Sequence, residues 1–151
     1  MATPHLDDSL NAAKAHMGSI ERALAARLGA TGVSATLLAA AEADGVPVMR
    51  ICIGDQEEIP VFVTVTPSQV LCICYLWTED EVRAERRAEM LEAMMDLKIA
   101  IPLSNFGRIG EHYVIYGSLA ADADADSIAI DVAMAADNAL EALTVFTEFL
   151  I

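Results

Sequence analysis

Hydrophobic and polar positions follow two different periods along this chain, and each change of period marks an element. From about residue 5 to 28, apolar residues recur at helical spacing. Leu6, Leu10, Ala13, Met17, Ile20, Leu24 and Leu28 form one stripe. Gly29 is a natural stop, and Gly32 breaks the chain again. The following "VSATLLAAAEADGVPVMRICIG" reads as a hairpin turning at Ala43, Asp44 and Gly45. Its first arm, Ser34 to Glu42, is rich in alanine and suits a helix equally well.

The period then shortens. "VPVMRICIG" (Val46–Gly54), "IPVFVTVT" (Ile59–Thr66) and "SQVLCICYLW" (Ser68–Trp77) are three β-rich runs joined by short links, which predicts an antiparallel meander. Pro60 lacks an N–H, so it belongs at a strand start or an edge. The third run is apolar at both parities, so both of its faces should be covered, or one should lie at a subunit contact.

Thr78 to Glu81 has the spacing of a capping box, and a helix should run from there to Lys98. Glu79 and Arg83 would form an i,i+4 pair on it. "AIPLSNFGRIGE" reads as largely loop with a short extended piece. "HYVIYGSLA" alternates as a further strand, with Tyr113, Ile115, Gly117 and Leu119 on one face. Ile128, Val132, Ala135, Ala139, Leu143, Phe146 and Leu150 give the last helix a long amphipathic seam, capped by Asp126 or Ser127. The fold class expected is α+β: N-terminal helix, antiparallel β meander, helix, one or more further strands, long C-terminal helix. Residues 1–151 should form one domain, with an N-terminal helical segment at 1–33 and an α+β body at 34–151.

Composition narrows the functional classes. The 151 residues carry 9 Lys and Arg against 23 Asp and Glu, a net charge of −14. Such a surface repels phosphate backbones and anionic headgroups, so neither nucleic-acid binding nor direct membrane insertion is expected. No uncharged apolar run approaches the roughly 18 residues of a spanning helix. Three cysteines and an N-terminus without a leader pattern point to a reducing, cytoplasmic setting.

The candidate chemistry is thin. Cys72 and Cys74 share one face of a strand, and Cys52 with His112 could complete a metal or ligand site. Zinc sites favour C-x₂₋₄-C on a turn, whereas C-x-C in a strand holds its Cα atoms about 7 Å apart. Core packing is therefore the reading preferred for the thiols. Asp122, Asp124 and Asp126 resemble the start of a calcium loop, but Ser127 and Ala133 stand where its glycine and final acid belong. No catalytic residue, metal or cofactor is expected.

"EIPVFVTVTPSQVLCICYLW", "IPLSNFGRIGEHYVIYGSL" and "DNALEALTVFTEFL" resemble the YjfI family of bacterial cytoplasmic proteins, which has no established activity. The resemblance runs from about Ile51 to the C-terminus. It implies a context beside homologues of phage-shock protein A, a membrane-remodelling protein of envelope stress. The element order is also similar to the folds of type III secretion chaperones and YbjN-like proteins, which are usually dimeric and bind other proteins. The function expected is a non-enzymatic protein-binding module, chaperone-like or regulatory, forming a homodimer and partnering a phage-shock protein A homologue. The alternative is a small enzyme or ligand binder using Cys52, Cys72, Cys74 and His112. Ser104, Asn105, Phe106, Gly107 and Arg108 are the candidate recognition loop. The plainer reading of that stretch is that Gly107 and Gly110 make turns and Phe106 packs inward.

Overall fold

The computed structural model describes residues 6–29, 32–38 and 47–151, without the side chains of 6–10 and Ala13. Two long helices and a six-stranded sheet make the main body. The elements are α1 (Leu6–Leu28), β1 (Val33–Leu38), β2 (Val48–Ile53), β3 (Val61–Val65), β4 (Gln69–Thr78), α2 (Arg87–Lys98), β5 (Asn105–Ile109), β6 (His112–Ala120) and α3 (Ala125–Val145). This is the expected α+β order. The first arm of the early hairpin is a strand, β1; the turn at 43–45 lies outside the described residues.

Every strand pairing is antiparallel, in the order β1-β2-β3-β4-β6-β5. β3 is interior to the sheet and begins at Val61, so Pro60 sits just before the strand, where its missing N–H breaks no ladder. The register aligns Ile51, Val61, Cys74 and Ile115 in one cross-strand row, and Met49, Val63, Cys72 and Gly117 in the next. Both rows point inward. Against them pack Ile20 and Leu24 of α1 and Ile128, Ala129, Val132, Ala135, Ala136 and Ala139 of α3. The alanines allow the axis of α3 to lie close over the sheet.

A second core fills the other end of the molecule. Trp77, Val82, Met90, Met94, Tyr113, Ala142, Phe146 and Phe149 are buried together, with Trp77 and Phe146 ring centroids 5.5 Å apart. Here the expected helix from Thr78 to Lys98 is corrected. The capping box at Thr78 and Glu81 forms, but it opens only a single 3-10 turn at Glu79–Glu81. Val82 then turns extended (φ −86°, ψ 132°) and bridges to Leu150. Arg83 N–H donates to Phe149 O at 2.8 Å, and Ile151 N–H to Glu81 O at 2.8 Å. The C-terminal segment thus interrupts the helix, which starts only at Arg87. The cap of α3 also moves: Asp124, not Asp126 or Ser127, is the N-cap, and its carboxylate accepts from Ser127 N–H at 2.7 Å.

One contact depends on the close approach of α3 to the sheet. Asp131, 5 % exposed, projects from α3 onto Gly117 of β6, and any Cβ on Gly117 would collide with its carboxylate. Gly117→Ala is therefore expected to destabilise the fold by about 1–3 kcal/mol through overpacking. The same substitution in an Asp131→Ala background should cost much less. Urea unfolding of the four proteins measures the coupling, and simple additivity would show that the two residues do not meet.

Candidate interaction surface

The three thiols do not form a common site. Cys72 and Cys74 face the core and are fully buried. Cys52 follows Ile51 on β2, and strand alternation turns it to the opposite face of the sheet. His112 pairs with Thr78 and Ile109 in the ladders, and its ring stands edge-on to Tyr75 at 5.4 Å, also on that opposite face. The grouping of Cys52, Cys72, Cys74 and His112 is thereby corrected: the sheet separates its members. No cluster of three or more His, Cys, Asp or Glu that could hold a metal occurs among the described residues.

Burial also changes the thiols' chemistry. Removal from water pushes Cys74 up to about 12. Cys72 is raised further, first by burial and then by the neighbouring Asp131 charge. Neither is a thiolate at neutral pH, and thiolate is the nucleophilic and metal-binding form. Asp131 is itself raised above the usual carboxylate range by burial, an effect only partly offset by its contact with Cys72.

The candidate recognition loop is a strand. Asn105–Ile109 is β5, the edge of the sheet, so the loop assignment is corrected. Its residues have structural partners. Ser104 is buried, and Asn138 of α3 donates from Nδ2 to Ser104 Oγ and to Pro102 O, each at 2.9 Å. This clamp holds the turn in which Leu103 takes a left-handed φ of 62°. Phe106 packs inward, edge-on to Phe146 at 5.5 Å. A Cβ on Gly107 would press on the Tyr116 ring at 3.0 Å, so glycine lets that ring lie over the strand. Arg108 lies over the Tyr113 ring at 5.1 Å and pairs with Glu79 at 3.0 Å.

Glu79 is the node of this region. It does not pair with Arg83 as expected; Arg83 Nε donates instead to Leu150 O at 2.7 Å. Glu79 accepts from Arg87 Nε at 2.5 Å and from the Tyr113 hydroxyl at 2.7 Å. Those donors, Arg87 first, hold its carboxyl below the usual range. One carboxylate thus links α2, β5 and β6.

The sheet has two unlike faces. The inner one is closed by α1 and α3. Among the described residues, no helix covers the outer one. Its centre is apolar: Phe62, Leu71, Ile73, Tyr75, Val114 and Tyr116. Tyr75 is 41 % exposed and stands edge-on to Phe62 at 5.7 Å, so Phe62, Tyr75 and His112 form an aromatic row across three strands. A depression of about 450 Å³ beside it is lined by Leu71, Ile73, Val114, Tyr116 and Ile109, with Ser118 and Gln69 bonded at 2.8 Å on its rim. The outward positions of all six strands carry no Asp or Glu, although the chain has 23. Sequence reading missed this face because the acid-free strand runs are separate in the chain and become one surface only when they pair. The available signal was the third β run, apolar at both parities.

Residues 17–150 match the family described as an uncharacterized protein conserved in bacteria, DUF2170. The chain belongs to the DUF2170 family. No curated protein matches it. Among solved structures, a chain of the ExsC–ExsE complex is similar over 85 % of the DUF2170 chain and 94 % of its own length, at 12 % identity and a TM-score of 0.49. A chain of the heterodimeric ExoU–SpcU complex from the type III secretion system of Pseudomonas aeruginosa covers 87 % and 97 %, at 12 % identity and a TM-score of 0.48.

Two outcomes are expected for the buried groups. A water-soluble disulfide reagent should leave Cys72 and Cys74 unmodified in the native DUF2170 chain and label them after denaturation; rapid native labelling of either would place it in an open cleft. Asp131 has a raised value when folded, so its stabilising contribution is complete below the ordinary carboxylate range and is lost as pH rises through the raised value. Asp131→Asn lacks that loss. The stability of the variant relative to wild type should therefore increase from acid to neutral pH in denaturant titrations.

Proposed function

We propose that this chain is a non-enzymatic protein-binding module whose outer sheet face mediates docking. The observation that carries the reading is an apolar, aromatic face without a carboxylate on a chain of net charge −14. An exposed contiguous apolar surface costs solubility and marks interaction sites in soluble proteins. Interface centres are depleted in charge and enriched in aromatic residues, as this one is.

The first occupant of that face is a second copy of the chain. Two copies carrying −14 each repel at most orientations, and the carboxylate-free faces are where they can approach. The homodimer in turn serves as the chaperone-like or regulatory partner of a phage-shock protein A homologue in envelope stress. The resemblance of the "IPLSNFGRIGEHYVIYGSL" and "DNALEALTVFTEFL" segments to the YjfI family supports that partner.

In light scattering the wild type should show twice the 16.1 kDa chain mass. Tyr75→Glu, a change at an exposed position, should return it to the single mass while keeping its circular dichroism. A wild-type monomer at all concentrations would remove the dimer. Failure of the phage-shock protein A homologue to co-purify with the wild-type chain would remove that partner while leaving the dimer standing.

A further inference from the structure

A second docking surface lies away from the outer face, between α2 and the free edge of β5. A groove of about 420 Å³ runs there, lined by Leu91, Met94, Met95 and Lys98 on one side and by Phe106, Gly107 and Arg108 on the other, with Tyr113 at its floor. Three features describe what it can hold. First, its helical wall is flexible and apolar. Met95 is 75 % exposed, an unusual cost for a surface that touches nothing. Methionine adapts to irregular partners.

Second, its other wall is backbone. β5 ends the sheet, and among the described residues no strand pairs with its outer edge. An edge strand presents unpaired N–H and C=O groups to any extended chain beside it. Gly107 adds no side chain to hinder the approach.

Third, cations border it in a chain of net −14: Lys98, and an Arg108 shared with Glu79 at 3.0 Å. The acids of α2, Glu89, Glu92 and Asp96, fall on the other side of the helix by the 3.6-residue period. Arg108 is already fixed by Tyr113 and Glu79, so ordering its side chain costs little on binding.

We infer that this groove takes an extended segment of a partner protein that alternates apolar and acidic residues, added to β5 as a seventh strand. Apolar side chains would lie against Met94, Met95 and Leu91. Carboxylates would meet Lys98 and Arg108. Main-chain hydrogen bonds to β5 would supply affinity, and the side-chain alternation would supply specificity. This inference rests on the reading of the chain as a protein-binding module and names a different surface and ligand class from the dimer face.

The test uses the full chain labelled with ¹⁵N and with ¹³C at methionine methyls. The probes are a synthetic peptide of alternating valine and glutamate, its valine–lysine counterpart, and a valine–glutamate peptide interrupted by proline. The first should shift the Met95 methyl and slow amide exchange within Asn105–Ile109; the other two should not. Lys98→Glu should weaken binding about fivefold, and Met95→Asp, at an exposed position, should abolish the slowing of amide exchange within Asn105–Ile109. Tyr75→Glu should leave peptide binding unchanged, so loss of the dimer and loss of the groove are read separately. Three results would overturn the inference: no response to the glutamate peptide, equal response to the lysine peptide, or shifts confined to the outer sheet face. Shifts of the Met95 methyl that grow with protein concentration alone would assign the groove to a second copy and overturn it as well.

Discussion

The packing of α3 on the inner face of the sheet is the interaction on which everything else depends. Ala129, Ala135, Ala136 and Ala139 are buried at or near zero exposure, with Ile128 and Val132 beside them. Small residues lose little rotamer freedom on burial and bring the helix axis close. The close approach allows one helix to touch β3, β4 and β6 and also α1. It also explains why position 117 is glycine and why Asp131 can sit over it. The same helix reaches the second core through Ala142 and Phe146 and holds the start of β5 through Asn138. Both surfaces proposed for docking are therefore positioned by a single element that contributes no residue to either.

With one face of the sheet closed in this way, the other is left to solvent or to a partner. An antiparallel sheet tolerates one solvated face, and such a face is usually polar. Here it carries Phe62, Leu71, Ile73 and Tyr75 instead. The acids sit on loops, on the helices and beside Glu79, where arginines meet them. Segregation of this kind leaves one surface of a strongly acidic chain without the charge that would repel another acidic molecule.

Much of the architecture was legible in local pattern. The three β runs, the alternation of Tyr113, Ile115 and Gly117, and the seam of α3 from Ile128 to Leu143 appear where periodicity placed them, but the helix ends at Val145 and Leu150, expected on the seam, is extended. The thiols of Cys72 and Cys74 were legible as core because their neighbours are apolar and the strand holds them apart. Two local readings failed for long-range reasons. The capping box at Thr78 does cap, but Val82 is claimed by Leu150, and no local rule anticipates a bridge across that sequence distance. The "PLSNFGRIG" stretch looked like a loop because of its glycines and polar residues. Gly107 is there to receive the Tyr116 ring, a contact that exists only once β5 has paired with β6.

The sequence by itself determined the element types, the α+β class, the burial of two thiols and the acidic character, because each depends on residue type and on near-neighbour spacing. Tertiary structure alone decided which face each residue occupies. Cys52 and His112 were assigned to one site with Cys72 and Cys74, and strand register sent them to the other side of the sheet. Pairing also joined six acid-free strand runs into one surface and set a backbone edge beside the methionines of α2. These are consequences of pairing between distant segments, and a one-residue slip in a strand would exchange its inward and outward residues.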